Sequence, residues 1–286
     1  MIKAFCPGHI TCFFSPVITG DPMTTGSLGA GIRLNKGVTV TIEGRAGNRK
    51  TRITMDGEDC PNAKITEYVV NALGPDKIFD ITIENELPLS QGMGMSAAGA
   101  VALGLCITSL KNMDPEDAYK TAHIAEVELG GGLGDVAGIT GGKQPVRIKA
   151  GVPPFGRTVD TGIDMRLSII VLGPKMDTCN VISDNAAMKK ISEFGKECVN
   201  RYIARPSEKA LYEISSEFSK HIGLESKAVK RALSELRKKG HAASMCMLGN
   251  SIFTNAEEDE VHDILGDVNV ISCVSGGNGP MTTRRA

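Results

Sequence analysis

The first third of the chain alternates apolar and polar residues, a pattern typical of strands that bury one face. The alternation is clear over residues 38–42, 50–54 and 79–83. Residues 46–48 (Ala-Gly-Asn) lie between the first two segments and have the composition of a turn. We therefore expect the first two segments to form a β-hairpin and the third to be a further strand.

Three helices are predicted in the first half. Residues 61–73 carry apolar side chains three and four positions apart and are followed by a Gly-Pro pair, which is a stop signal. Residues 97–110 are small or apolar on every side, which indicates a buried helix. The third helix is predicted over about 114–129, where an Asp-Pro pair supplies the N-cap and the first helical position.

The second half continues with strands and helices in blocks, which favours the α+β class over strict βαβ alternation. Strands are predicted over residues 145–149, 167–172, 243–248 and 268–274, and helices over most of 184–240 and near 257–265. The Gly- and Pro-rich stretch 151–156 is the best boundary, so the predicted domains are 1–152 and 153–286. Residues 276–286 are expected to fray.

Composition excludes several classes of protein. The 286 residues have a formal net charge of -1, no Trp, 4 Tyr and 8 Phe, which opposes a nucleic-acid-binding role. No apolar run approaches the roughly 18 residues of a membrane helix. The eight cysteines are scattered without a CxxC pair, which favours reduced thiols and a cytoplasmic location.

A glycine-rich loop, PLSQGMGMSAAG at residues 88–99, follows the strand at 79–83 and opens the buried helix. A helix N-terminus offers unpaired N–H groups and a positive dipole end, and glycines let the backbone approach an anion closely. The loop lacks the Lys of a Walker A motif and the third Gly of a dinucleotide fingerprint. We interpret it as a polyphosphate site. The alternative is a turn that only lets the helix pack.

Two carboxylates follow this loop. Glu126 lies three residues after His123, on the same face of the predicted helix, and Asp135 closes the stretch GGGLGD. Near bound phosphates, one carboxylate would hold Mg²⁺ and the other would orient or deprotonate an attacking hydroxyl. A solvated helix glutamate and an ordinary turn aspartate are the alternatives.

These motifs resemble those of the GHMP kinases, which include galactokinase and the homoserine, mevalonate and phosphomevalonate kinases. The family motif P-x3-G-L-G-S-S-A-A corresponds to residues 88–98, where Met95 replaces the first Ser of the pair. Residues 4–10 resemble the first family motif in position, and residues 243–250 lie where the glycine-rich third motif is expected, with one Gly. With AHIAEVE and GLGDVAG, the loop resembles an archaeal branch that phosphorylates pantoate for coenzyme A synthesis.

The resemblance implies a GHMP kinase fold of the α+β class, with a ribosomal-S5-domain-2-like N-terminal domain and a ferredoxin-like C-terminal domain. It implies an ATP-dependent kinase that phosphorylates the 4-hydroxyl of pantoate. Ser96 and Glu126 would hold Mg²⁺, and Asp135 would face the attacking hydroxyl, so these three are the predicted catalytic residues. The residues predicted to bind ATP are Pro88, Gly92, Met93, Gly94, Met95, Ser96, Ala97 and Ala98.

Three residues are predicted on the substrate side. His123 precedes Glu126 by one helical turn. Arg147 lies on the predicted strand that follows the loop ending at Asp135, and Ser27 lies in a glycine-rich segment. Arg147 would clamp the pantoate carboxylate bidentately. A packed histidine, a surface salt bridge and a turn hydroxyl are the respective alternatives. Arg33 and His9 are weaker candidates. The family also suggests a homodimer.

Two other functions stay open from the sequence. One is another small-molecule GHMP kinase of the homoserine or mevalonate type. The other is a ligand sensor that binds ATP or a metabolite on the same fold without turnover. A sensor need not keep Ser96, Glu126 and Asp135 together, so their presence favours an enzyme.

Overall fold

The computed structural model describes residues 1–45, 50–175 and 185–284. Its strands are β1 Ile2–Val17, β2 Gly26–Arg45, β3 Arg52–Met55, β4 Glu58–Asp59, β5 Ile78–Asn85, β6 Pro145–Lys149, β7 Arg157–Asp160, β8 Arg166–Val171, β9 Ala243–Met245, β10 Ser251–Thr254, β11 Val270–Val274 and β12 Met281–Arg284. Its helices are α1 Lys64–Leu73, α2 Met95–Lys111, α3 Pro115–Glu128, α4 Asp135–Thr140, α5 Asn185–Ala204, α6 Glu208–Ile222, α7 Lys227–Lys238 and α8 Glu258–Leu265. This mixture confirms the predicted α+β class.

The larger sheet has the order β12-β1-β2-β5-β3-β4, and β6 and β7 extend it from β2. The predicted hairpin is wrong because β5 lies between its two strands. Ile81 of β5 is paired with Ile42 of β2 on one side, antiparallel, and with Ile53 of β3 on the other, parallel. All three isoleucines are buried, so β5 supplies apolar neighbours to both strands. The predicted turn at 46–48 lies outside the described residues.

Helix α2 is the centre of the larger layer, and its predicted burial is confirmed. It packs against β1 and β2 on one side and against α1 and α3 on the other. A Cβ added at Gly104 would lie 2.8 Å from the Cβ of Ala118 on α3, so small residues bring these two helices close together. Helix α3 begins as predicted, because the Asp114 side chain accepts a hydrogen bond from Glu116 N at 2.9 Å.

The smaller sheet has the order β11-β8-β10-β9 and carries the later helices. The amphipathic α7 buries Val229, Leu233 and Leu236, as its spacing predicts. The predicted strand 243–248 ends at Met245, and residues 246–250 turn towards β10. Helix α6 joins the two layers, because it packs against β9 of the smaller sheet and against β1 of the larger one.

The end of the described chain does not fray as predicted. Residues 281–284 form β12, which pairs with the first residues of β1 from Ile2↔Arg284 to Phe5↔Met281. Strands β7 and β12 both follow residue 152 and belong to the larger sheet. The division of the chain into 1–152 and 153–286 stays a prediction. None of the helices in the described ranges is long and apolar enough to cross a membrane.

Candidate active site

A cleft of about 310 Å³ opens where the start of α2 faces the loop between α3 and α4. Its lining residues include Ser27, Ser90, Gly92, Met93, Gly94, Met95, Ser96, Glu126, Leu129, residues 130–134, Asp135, Arg147, Met247 and Leu248. The cleft therefore brings together the predicted phosphate loop, both predicted carboxylates and two of the three predicted substrate-binding residues.

The phosphate loop presents backbone N–H groups to the cleft. Gly92 and Gly94 have φ values of 76° and 61°, a left-handed conformation that L side chains rarely adopt. Gly94 is the N-cap of α2, and no side chain of the described residues caps the helix there. Gly94, Met95 and Ser96 all line the cleft, so the uncapped N–H groups at the start of α2 are placed to bind an anion.

A turn from the smaller sheet supports the loop from the other side. Gly249 packs on Gln91, where an added Cβ would overlap the backbone carbonyl, and the Ser251 hydroxyl donates to the same carbonyl oxygen at 2.6 Å. Met247 and Leu248 line the cleft beside the loop. The segment 243–250 thus contacts the phosphate loop, in the place where the third motif was expected. Gln91 was missed because a glutamine in a polar loop gives no sequence signal.

Ser96 and Glu126 meet at the phosphate end of the cleft. The Ser96 hydroxyl donates to Glu126 Oε1 at 2.7 Å. Burial raises the pKa of Glu126 to about 7, with the Ser96 hydrogen bond lowering it and the Asp135 charge raising it further. A hydroxyl and a carboxylate are oxygen ligands of the type that Mg²⁺ takes together with substrate phosphates. The two residues therefore fit an Mg²⁺ site.

Asp135 begins α4 and faces Glu126 across the glycine-rich residues 130–134, which connect α3 to α4. A Cβ added at Gly132 would lie 3.1 Å from both Asp135 Oδ2 and Glu126 Oε2, so the two carboxylates border the same small space. The other oxygen, Oδ1, accepts a hydrogen bond from His9 Nδ1 at 3.0 Å. The Asp135 side chain is 25% exposed, while His9 is fully buried. His9, a weaker candidate from the sequence, is therefore a direct neighbour of the predicted catalytic carboxylate.

Arg147 and Ser27 lie together beside Gly134, which directly precedes Asp135. A Cβ added at Gly134 would overlap Ser27 Oγ and lie 2.7 Å from Arg147 Nε, so both side chains pack on this glycine. Arg147 is 1% exposed, and its three guanidinium nitrogens have no hydrogen-bond partner within the described part of the chain. Burial lowers the pKa of Arg147, and the Asp135 charge opposes this shift. A buried cation without a partner is unfavourable, and an anionic ligand would relieve that cost.

His123 contacts the backbone just before Ser27 but does not line the cleft. Its Nε2 donates to the backbone carbonyls of Pro22 at 3.0 Å and Thr25 at 2.9 Å, and burial lowers its pKa. These contacts tie α3 to the segment that leads into Ser27 at the start of β2. A role of His123 in binding substrate stays a prediction, and its contacts favour positioning of Ser27.

Four other predicted residues lie outside the cleft lining. Pro88 is the first residue of the loop and does not line the cleft, and Ala97 and Ala98 are fully buried in α2, so their predicted contact with ATP stays a prediction. Arg33 points to backbone carbonyls of Ile139 and Gly276 at 3.4 Å rather than into the cleft. Of the residues predicted to bind ATP, those that line the cleft are therefore the ones from Gly92 to Ser96.

Comparison with known proteins agrees with this arrangement. A family model described as the GHMP kinases N terminal domain matches residues 63–143, which contain helices α1 to α4. The pantoate kinase of Methanocaldococcus jannaschii is 31% identical over 266 residues, which are 91% of this chain and 95% of that protein. The pantoate kinase of Thermococcus kodakarensis is 32% identical over 284 residues, 94% of this chain and 93% of that protein.

Solved structures show the same relationship. A phosphotransferase related to the CoA biosynthesis pathway has a TM-score of 0.89 at 30% identity, covering 99% of this chain and 98% of that one. A mevalonate kinase has a TM-score of 0.67 at 14% identity, covering 97% and 100%, which shows a shared fold. The chain has the GHMP kinase fold and is an ATP-dependent kinase of this family. It belongs to the GHMP kinases, in the same group as these archaeal pantoate kinases.

Proposed function

We propose that the protein transfers the γ-phosphoryl group of ATP to the 4-hydroxyl of (R)-pantoate in coenzyme A biosynthesis. The observation that carries the substrate assignment is the buried, unpaired guanidinium of Arg147 beside the Ser27 hydroxyl. It lies in the same cleft as an uncapped helix N-terminus and two carboxylates. Pantoate has the carboxylate that would pair with Arg147 and the hydroxyl that would react. The relatives named pantoate kinase support the same substrate.

The phosphate side of the site is formed by backbone and by two side chains. The N–H groups from Gly94 to Ser96 would bind the phosphate oxygens of ATP. Ser96 Oγ and a Glu126 carboxylate oxygen would hold Mg²⁺. When bound, Mg²⁺ neutralises charge on the phosphates and aligns them. Burial favours the protonated form of Glu126, and a cation at its oxygens would favour the ionised form.

The acceptor side is formed by Asp135, Arg147 and Ser27. Asp135 Oδ2 would accept the proton of the 4-hydroxyl as that oxygen bonds to the γ-phosphorus and the bond to the β–γ bridging oxygen breaks, releasing ADP. Phosphoryl transfer needs little deprotonation in the transition state, so orientation of the hydroxyl is the larger part of this role. Arg147 would clamp the carboxylate of pantoate through two parallel hydrogen bonds. Ser27 Oγ would donate a further hydrogen bond.

The test is ADP release with Mg²⁺-ATP and single acceptors: pantoate, pantothenate, homoserine, mevalonate and shikimate. Release with pantoate alone is the expected result. Release with homoserine or mevalonate instead would keep the phosphoryl-transfer site and overturn the substrate. No release from folded protein that binds ATP would favour the ligand sensor. Omission of Mg²⁺, with a chelator present, should abolish turnover if Ser96 and Glu126 hold the cation.

Two expectations from the sequence accompany this proposal. All cysteines of the described chain are unpaired, in agreement with the predicted cytoplasmic location, which stays a prediction. The homodimer suggested by the family also stays a prediction. Size-exclusion chromatography with light scattering would measure the oligomeric state directly.

A further inference from the structure

His9 is the buried partner of Asp135 that the scheme above does not use. It lies on β1, is fully buried, and makes one side-chain hydrogen bond, from Nδ1 to Asp135 Oδ1 at 3.0 Å. Because a carboxylate oxygen accepts, the ring proton is on Nδ1. The other ring nitrogen, Nε2, has no partner in the described ranges. Among the described residues, Asp135 is therefore the only one that makes a polar contact with this ring.

The protein encloses the ring between two glycines. Gly31 on β2 and Gly138 on α4 both pack against Nε2, and a Cβ added at either would overlap that atom. A close-packed ring cannot change its orientation without displacing backbone on one side. The direction of the Nδ1–H bond is therefore fixed by β1, β2 and α4 together.

Arg147 is the competing partner for the same carboxylate. Its guanidinium packs against Gly134, which directly precedes Asp135, and its three nitrogens are unpaired. The pair is nevertheless not an ion pair, since no Arg147 nitrogen lies within 4.0 Å of an Asp135 oxygen in the described structure. Opposite charges attract strongly where water is excluded. Without the hydrogen bond from His9, the Asp135 carboxylate would be free to turn towards Arg147 and form an ion pair with it.

We propose that His9 is a positioning residue that keeps Asp135 apart from Arg147, so that the carboxylate is free for the acceptor hydroxyl and the guanidinium for the acceptor carboxylate. This inference rests on the proposed function for its kinetic consequences. Its structural content is independent of that function. Loss of the Nδ1–H donor should let the two groups pair, and each would then be lost to the substrate.

Two substitutions at His9 separate the hydrogen bond from the packing. His9→Leu removes the donor and keeps a side chain of similar bulk. His9→Asn keeps an amide N–H at the position of Nδ1. With the acceptor that the protein turns over, we expect His9→Leu to lower kcat and raise the acceptor KM, each about tenfold or more, with the ATP KM nearly unchanged. His9→Asn should stay within about threefold of the wild type for all three. Equal losses in both variants, with unchanged melting temperatures, would overturn the proposal.

Arg147 provides the second test. In an Arg147→Met background, His9→Leu should raise the acceptor KM no further, because the competing partner is gone. Additive effects of the two substitutions would contradict the proposed competition. A crystal structure of His9→Leu should show the Asp135 carboxylate turned to Arg147, and an unmoved carboxylate would overturn the idea. This readout needs no turnover, so it decides the role of His9 even if no acceptor reacts.

Gly138→Ala tests the same role without changing His9. Its added methyl group would displace the imidazole ring, and we expect the kinetic pattern of His9→Leu. The matched control is Gly44→Ala on β2, where the added Cβ would have no atom within 4 Å. This control should leave kcat and both KM values unchanged. If His9→Leu does not fold, Gly138→Ala and His9→Asn still decide the matter, and normal kinetics in Gly138→Ala would contradict the proposal.

Discussion

The backbone N–H of Asn250 donates to Oε1 of Gln91 at 3.1 Å and joins the phosphate loop to the smaller sheet. Nε2 of the same Gln91 side chain donates to Gly173 O at 3.1 Å. Gln91 is 5% exposed and sits one residue before Gly92. A single buried amide thus connects the loop proposed to bind ATP with two separate segments of the other layer.

Gln91→Leu should weaken ATP binding while leaving acceptor binding almost intact. The substitution removes the partner that Gln91 provides to Asn250 N and to Gly173 O, and a group left unsatisfied where water is excluded costs about 1–3 kcal/mol. We expect the ATP KM to rise about tenfold and the melting temperature to fall. Steady-state kinetics against each substrate in turn measure this difference. Gln91→Glu is the matched variant, since it keeps an acceptor for Asn250 N and loses the donor to Gly173 O. An unchanged ATP KM in Gln91→Leu would remove Gln91 from loop positioning.

The local elements were predictable because each has a pattern that neighbouring residues determine. Helix α2 follows from an unbroken run of small and apolar residues, and α3 follows from its Asp-Pro start. Strand partners were not predictable in this way. Alternation identifies β2, β3 and β5 as strands, but their order depends on apolar contacts between residues far apart in the chain. The same is true of β12, a short polar strand that only its pairing with β1 defines.

The residues of the candidate site likewise differ in whether the sequence alone could identify them. The glycines before Ser96 indicated anion binding from the sequence, and Asp135 was expected to face the attacking hydroxyl. The structure brings both residues into one cleft with Glu126. His9 and Gln91 could not be assigned from their surroundings. Their partners lie 126 and 159 positions away in the chain, so only the folded structure shows what they contact.

Asp135→Asn should reduce kcat by about two to four orders of magnitude, because it removes the charged group that orients the acceptor hydroxyl and accepts its proton. The amide oxygen still accepts from His9 Nδ1–H, so the side chain should keep its place and lose only its charge. The ATP dissociation constant, measured by isothermal titration calorimetry, should change little. Turnover close to that of the wild type would exclude Asp135 from the reaction.

Arg147→Met should separate stability from function. Removal of a buried, unpaired charge in favour of an apolar side chain should leave the ligand-free protein as stable or stabilise it by about 1–4 kcal/mol. The acceptor KM should rise by about a hundredfold, because the fixed fork of donors for a carboxylate is gone. Urea denaturation and steady-state kinetics measure the two effects.

Arg147→Lys is the matched control for this substitution. It keeps the charge and loses the bidentate geometry, so it should recover only part of the acceptor affinity. A fall in stability with equal rises in both KM values would instead indicate a folding role for Arg147.

His123→Gln should reduce the pH dependence of stability below neutrality. Burial lowers the pKa of His123 in the folded protein, whereas the unfolded chain keeps a value near 6.5. Between these two values the unfolded state binds more protons, so the free energy of unfolding falls as the pH falls, by up to about 1.4 kcal/mol per pH unit. The stabilising effect of the neutral ring is fully present above the unfolded pKa and is lost as the pH falls through the folded one.

Urea denaturation of ligand-free protein at pH 7.5 and 5.5 should show a smaller difference in the free energy of unfolding for the variant than for the wild type. The Gln amide N–H replaces the Nε2–H donor to Pro22 and Thr25, so stability at pH 7.5 should change little. An identical pH dependence in both proteins would show that His123 titrates alike in the folded and unfolded chain.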